Sequence, residues 1–237
     1  MNKDKKILVF TATYNEKENI QKLIFEIKAN LTNASILIID DNSPDGTGKL
    51  VSEIQKKIIG LELITRNKKS GLDSAHKLAY EFALKNEFDY LITMDADFSH
   101  DPLILPIIIK HLDNNPFVLG SRYIDGGKCL MKGSRLLMSY LGNKLIKFVS
   151  GINSNEFTTS FRGFNLKKLE KFNLNNVKYK GYSFFMGTIF ELNKQKIMVK
   201  EIPIVFKDRI KGVSKIPKLE ILRTIKNLAI YSLKKYF

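Results

Sequence analysis

The chain has one cysteine, three histidines, no tryptophan and no long apolar run. With Cys129 alone, no intrachain disulfide is possible, and a reducing compartment fits. The histidines His76, His100 and His111 do not fall at metal-ligand spacing, although His100 stands beside two acids. No stretch approaches the roughly 20 apolar residues that span a bilayer, so membrane contact is expected to be peripheral. The opening MNKDKKILVFTATYNE has no long apolar segment leading to a small-residue cleavage site, and no secretory signal is expected. No G-x-G-x-x-G follows the first apolar run, and no Walker lysine loop is present. These absences argue against a dinucleotide oxidoreductase and a P-loop NTPase. Internal repeats, low-complexity tracts and Pro/Gly-rich linkers are also missing.

The 237 residues are 44% hydrophobic, enough for one large domain or two small ones with a filled core. Lys and Arg number 39 against 24 Asp and Glu, a formal charge of +15. Such an excess suits an anionic partner: nucleic acid, a phosphorylated substrate or a membrane surface. It also suits a lysine-rich composition with no partner at all.

Short apolar runs alternate with amphipathic helices through the first half. Strands are expected over Ile7–Ala12, Ile36–Asp40, Leu61–Arg66, Leu91–Asp95 and Phe117–Tyr123. Helices are expected over Glu16–Leu31, Gly46–Ile58, Leu72–Leu84 and Leu103–Leu112. The alternation implies an α/β fold with a mainly parallel sheet, whose ligands bind beyond the carboxyl ends of the strands. The loops there read TATYNE (11–16), DDNSPDGTG (40–48), RNKKSG (66–71), DADFSH (95–100) and GSRY (120–123).

In YLITMDADFSHDP an apolar run ends in Asp95 and Asp97, one residue apart. In an extended chain such residues share a face, and two like charges there repel unless a cation lies between them. Two readings fit. One is a polar turn, with Ser99 or Asp101 capping the next helix. The other is a divalent cation with a phosphate on its far side. Asp41, ending the second strand, can accept from a base N–H or a ribose hydroxyl, or can start the turn before Pro44.

After about residue 125 two basic amphipathic stretches appear. Leu130–Ser150 places Arg135, Lys144 and Lys147 among Leu, Met, Ile and Phe. In residues 216–237, Leu219, Leu222, Ile225, Ala229 and Leu233 form one face, with Lys218, Arg223, Lys226, Lys234 and Lys235 largely off it. Each is either a membrane-surface helix or an ordinary helix packed on the sheet.

The ordered blocks TYNE, IIDDNSPDGTG, MDADFSH and GSRY resemble inverting family-2 glycosyltransferases of the GT-A fold. The later blocks SRLLMSYLGN, EFTTSFRGFN, GYSFF and EIPIVFKDRIKGVSK look like those of dolichyl-phosphate (polyprenyl-phosphate) mannosyltransferases, over nearly the whole chain. The resemblance implies a single GT-A catalytic domain over 1–237, with a nucleotide-sugar half (1–125) and an acceptor and membrane-interface half (126–237). It implies transfer of mannose from GDP-mannose to a polyprenyl phosphate, with Mg²⁺ or Mn²⁺ as cofactor. It also implies peripheral association with the cytoplasmic face of the membrane, and no nucleic-acid partner. By the same resemblance Tyr14 and Glu16 hold the nucleotide, with Ala12 where the family usually has Pro. Ile39 and Asp41 contact base and ribose. Asp95, Ala96 and Asp97 line diphosphate and metal, and Ser99 joins the metal shell. Arg122 contacts phosphate, Arg135 faces the acceptor phosphate, and Arg209 and Lys215 close over the donor across a loop containing Gly212.

Chemistry supports these roles. Asp95 and Asp97 with a metal, and Arg122, Arg209 and Lys215, would offset charge growing on the leaving diphosphate. A lipid phosphate is already ionised, so it needs cations such as Arg135, Arg162 and Lys132 rather than a base. A sugar hydroxyl would need a base, for which Glu156 and Asp208 are among few candidates. The Q-x-x-R-W block common in polysaccharide synthases is impossible without Trp. Besides Ala12, two positions depart from the pattern: Glu156 replaces an Asp, and Gly187 falls where an acid is expected. The competing readings are a UDP-sugar donor or a soluble glycan acceptor on the same fold, and a nucleic-acid-binding protein. Against the last, no aromatic-plus-basic recognition block is evident.

Overall fold

A computed structural model describes residues 5–208 and 220–236. The strands are β1 (Ile7–Thr13), β2 (Ser35–Asp40), β3 (Leu61–Thr65), β4 (Tyr90–Thr93), β5 (Phe117–Ser121), β6 (Lys128–Cys129), β7 (Arg162–Asn165), β8 (Val199–Pro203) and β9 (Val205–Phe206). The helices are α1 (Lys17–Asn30), α2 (Thr47–Gln55), α3 (Leu72–Lys85), α4 (Leu105–Leu112), α5 (Gly133–Ser150), α6 (Ser183–Lys194) and α7 (Glu220–Tyr236).

Seven strands form one sheet in the order β3-β2-β1-β4-β7-β5-β8, and β6 pairs with β9 in a small second sheet. All pairs in the large sheet are parallel except those of β7, which runs antiparallel between β4 and β5. The expected α/β architecture is therefore present, with strands from residues 162–165 and 199–203 completing the sheet of the first half.

Successive strand residues feed opposite cores. Leu8, Phe10, Leu37 and Ile39 pack with α3 and α6 on one face. Val9, Ile36 and Ile38 pack with α1, α2 and α4 on the other. On α1 the apolar period is realised as expected: Ile20, Leu23, Ile24 and Ile27 are all fully buried. Each contributes on the order of 1.5–3 kcal/mol by leaving water. Gly163 lets α4 sit directly on β7, since a Cβ there would lie 2.6 Å from Ile108 Cγ2.

Some bounds differ from expectation. β4 stops at Thr93, short of Asp95. The helix after the acids opens with a 3-10 turn, Pro102–Ile104, whose Leu103 N–H donates to the Asp101 carboxylate at 3.1 Å. Asp101 is thus the cap that the turn reading anticipated.

Helix α5 forms but buries only Asn143, Ile146 and Ser150. Leu137, Met138, Leu141, Leu145 and Phe148 stay exposed. On α7, Leu228 is buried and Tyr231 stacks on Phe190, while Ile225 and Ile230 face out. Arg209, Gly212, Lys215, Lys218 and Leu219, and the side chains of Leu222, Leu233, Lys234 and Lys235, lie outside the described residues. Among the described residues no helix is long and apolar enough to cross a membrane.

Candidate active site

Strand β1 pairs with β2 on one side and β4 on the other, all parallel, so the chain order reverses at β1/β4. A crevice at the carboxyl ends is the usual consequence. The loops carrying Tyr14, Asp41 and Asp95 all leave the sheet there.

The acid loop is built differently from a strand end. Met94 N–H makes the last ladder bond, to Phe10 O at 3.0 Å. Asp95 N–H instead donates to His100 Nδ1 at 3.1 Å. Phe98 turns the chain back with φ 61°, a left-handed conformation that non-glycine residues adopt at a cost. The two acids therefore do not share a strand face, contrary to expectation. The Asp95 side chain is 36% exposed, and its Oδ1 accepts from Ser160 Oγ at 2.6 Å. Asp97 is buried, and its Oδ1 accepts from Ser99 N–H (3.1 Å) and Ser99 Oγ (2.6 Å). Ser99 thus orients Asp97, and Ala96 between the acids is buried. His100 is buried as well, 3.9 Å from the Asp95 carboxylate and 3.3 Å from Thr159 Oγ1. Burial lowers its pKa; the negative charges of Asp95 and Asp97 pull the other way without reversing this.

On the opposite wall Asp40, not Asp41, is the structural acid. It accepts from Thr13 Oγ1 (2.8 Å), Ser43 N–H (2.9 Å) and Ser43 Oγ (2.5 Å). Asp41 is paired with the Arg66 guanidinium and also accepts from Ser70 N–H at 3.3 Å. Arg66 is held in turn by Ser74 Oγ (2.6 Å) and Gly71 O (3.1 Å). Lys69, from the same loop, stands 4.4 Å over the Tyr14 ring. Glu16 begins α1; its N–H donates to Thr47 Oγ1 at 3.0 Å and its carboxylate accepts from Asn19 at 2.9 Å. Ala12 is half-buried. The Ile39 side chain is fully enclosed in the core, so a contact to a base from this residue would come from its backbone.

Two arginines also depart from expectation. Arg122 does not hold its fork open for phosphate. Its Nε and Nη2 donate to the two Glu156 oxygens at 2.7 and 2.8 Å, and Nη2 also donates to Thr158 Oγ1 at 2.7 Å. Burial alone would raise the Glu156 carboxyl. The Arg122 charge, its hydrogen bonds and those from Thr158 hold it below the usual range instead. Glu156 is therefore a fixed anion, unsuited to act as a base. Arg162, expected near the acceptor, is buried in the core. It donates to the carbonyls of Thr159 (2.8 Å), Phe157 (3.2 Å) and Phe185 (2.9 Å), and its Nη1 has no partner among the described residues. Burial pushes its pKa down to about 9, partly offset by the Glu156 charge. Gly187 is explained by packing: a Cβ there would lie 2.2 Å from Tyr179 Cδ2.

Arg135, in the first turn of α5, is exposed and 3.5 Å from Asp208, and Lys132 is exposed beside it. The residues preceding Asp208 reach the acid loop. Lys207 N–H donates to Ser99 O at 3.2 Å, and Lys207 Nζ to Asp101 at 2.7 Å. Phe206 packs 5.0 Å from the Arg122 guanidinium and 5.5 Å from the His100 ring. Arg66, Ser160, Thr159 and Phe206 were not among the expected site residues. The register that brings Arg66 to Asp41 is set by the structure: Asp40 and Thr65, the last residues of β2 and β3, pair, and Asp41 and Arg66 directly follow them.

Among the described residues no group of three or more His, Cys, Asp and Glu side chains could hold a metal unaided. Two hard carboxylates next to a phosphate-bearing ligand are nonetheless a donor set that Mg²⁺ or Mn²⁺ accepts, since such ions usually complete their shell from the ligand and water.

The sheet order and the carboxylate loop at its switch point define a GT-A-type α/β architecture. The chain belongs to glycosyl transferase family 2, whose sequence profile matches residues 8–172. It is 31% identical over 230 residues to the polyprenol monophosphomannose synthase of Mycolicibacterium smegmatis, covering 96% of this chain and 87% of that one. It is 29% identical over 211 residues to the undecaprenyl-phosphate mannosyltransferase of Micrococcus luteus, covering 89% and 87%. The fold is similar to that of glucosyl-3-phosphoglycerate synthase from Mycobacterium tuberculosis, solved with Mn²⁺, uridine diphosphate and glucosyl-3-phosphoglycerate. That match has a TM-score of 0.66 at 15% identity and covers 98% of this chain and 80% of that one.

Proposed function

We propose that the chain transfers mannose from GDP-mannose to a polyprenyl phosphate, inverting the anomeric carbon, at the cytoplasmic face of a membrane. One observation carries the acceptor assignment. Arg135, on the outward-facing apolar helix α5, contacts Asp208, and the adjacent Lys207 bonds to Ser99 and Asp101 of the acid loop. The exposed apolar face thus begins where the crevice ends, as a lipid with a phosphate head requires. The names of the two relatives support the same substrates.

In this reading Tyr14, Glu16 and Asp41 line the nucleotide side, and Asp95 and Asp97 face the diphosphate. Asp95 and Asp97 would hold a divalent cation, which when bound would supply positive charge against the leaving diphosphate. Ser160 and Ser99 keep the carboxylates oriented. Arg135 and Lys132 offset the repulsion between the acceptor phosphate and the donor's own phosphates. No base is required, because the acceptor oxygen is already ionised; the locked Glu156 agrees with that. Helix α5 (GSRLLMSYLGNKLIKFVS) carries three cations and no acid, so an anionic lipid surface suits it better than a second, equally basic copy of the chain.

The test is a panel of labelled GDP-mannose, UDP-glucose and UDP-N-acetylglucosamine with polyprenyl phosphate in vesicles. Label from GDP-mannose is expected in the organic phase, as polyprenyl-phosphate mannose. Label from a UDP-sugar, or only water-soluble product, would overturn the assignment.

A further inference from the structure

We infer that His100 is a positioning residue for the acid loop, acting through an unprotonated Nδ1 that accepts the Asp95 N–H. The loop from Asp95 to His100 closes on itself through this contact, at 3.1 Å, after the left-handed turn at Phe98. An acceptor at Nδ1 fixes the tautomer, since a neutral ring then carries its proton on Nε2. Nε2 faces Thr159 Oγ1 at 3.3 Å. That oxygen also accepts from Phe161 N–H at 3.2 Å, and a hydroxyl has lone pairs for both.

The ring itself is held between neighbours. It stacks on Phe161 with centroids 4.8 Å apart and meets the edge of Phe206 at 5.5 Å. The histidine therefore links three segments: the acid loop, the 159–161 segment and β9. Ser160 from that second segment binds the Asp95 carboxylate at 2.6 Å. Asp95 is held twice, by its peptide through His100 and by its carboxylate through Ser160, so its outward oxygen has one direction. The consequence for cation binding rests on the proposed function; the tautomer does not.

Four proteins test this: the wild type, His100→Phe, His100→Asn and His100→Gln. Asparagine offers an acceptor near the Nδ1 position; glutamine reaches toward Nε2 instead; phenylalanine keeps only the packing. Mn²⁺ affinity is read by electron paramagnetic resonance with GDP present, and melting temperature is recorded alongside. His100→Phe is expected to weaken Mn²⁺ binding roughly 10- to 100-fold, the usual scale for losing a group that orients a metal ligand. His100→Asn should recover most of that loss and His100→Gln little of it. Binding by His100→Phe within about twofold of wild type, or equal recovery by the two amides, would overturn the inference. If His100→Phe does not fold, the Asn–Gln order decides. Nitrogen-15 NMR of the ring gives an independent answer: Nε2–H is expected, and an Nδ1–H tautomer overturns the inference. A wild type that binds no Mn²⁺ would remove the metal from the proposed function, and the tautomer would still decide the role of His100.

Discussion

Around the crevice, charged and polar side chains are buried and bonded: Asp97 to Ser99, Glu156 to Arg122, His100 to the Asp95 peptide. On the outer face of α5 the reverse holds, with Leu137, Met138, Leu141 and Leu145 in solvent and Phe148 86% exposed. Hydrophobic burial thus explains the sheet and its covering helices, but not the outside of α5. Buried ions are expensive unless fully partnered, and exposed apolar faces persist mainly where something else covers them. The first region should therefore fail in stability or chemistry when one group is removed. The second should fail only in association.

The largest effect is expected at the Arg122–Glu156 pair. Glu156→Ala strands a buried guanidinium, which costs about 3–5 kcal/mol. Urea unfolding would check this; a loss below about 1 kcal/mol would mean that water reaches Arg122. The acid limb has a definite sign. The Glu156 carboxyl lies below its ordinary 4.5 in the folded chain, so its contribution is complete above that value and is lost as pH falls through the lowered one. The mutant's stability should depend less on pH in that window. Next in size, Asp97→Ala should reduce turnover by about 10²-fold or more, the scale for removing a charge-stabilising element. Full activity in excess chelator, or an unimpaired mutant, would remove the metal role.

The contrast also separates what the sequence reveals from what it hides. Elements of the first half were legible because each buries one face: α1 shows its period at Ile20, Leu23, Ile24 and Ile27. Helix α6 is apolar almost all round (SFFMGTIFELNK), being buried among other elements, and so shows no period. Strand β7, RGFN, has neither an apolar run nor alternation, and depends on β4 and β5. The acid pair was legible by residue type and spacing, but the geometry was not, because the left-handed turn at Phe98 has no glycine to announce it. The Arg122–Glu156 pair joins residues 34 apart, which no local pattern encodes. The apolar face of α5 was legible as amphipathic; only the structure distinguished a face packed on the sheet from one left open.

A smaller effect is expected where the two regions meet. In the proposed acceptor role, Arg135→Ala would remove one charge-assisted phosphate contact, worth about 1.5–3 kcal/mol. That is roughly ten- to a hundredfold in the KM for polyprenyl phosphate, with GDP-mannose affinity nearly unchanged. Equal losses for both ligands would mean that Arg135 supports a shared site through Asp208 rather than the acceptor alone.

The smallest change in stability belongs to the outer face of α5. Leu141→Ser and Phe148→Ser remove apolar groups that touch solvent, so each should shift unfolding by no more than about 0.5 kcal/mol. On anionic vesicles the same variants should partition several-fold more weakly, because their side chains would no longer enter the acyl boundary. High salt should weaken wild-type binding without abolishing it, as Lys144 and Arg135 are screened while the apolar contact remains. The pair of measurements matters more than either alone. Loss of stability with unchanged partition would mean that α5 is an ordinary surface helix. Unchanged stability with lost partition is what an interface helix predicts, and the effect should be absent on vesicles whose surface the wild type does not bind.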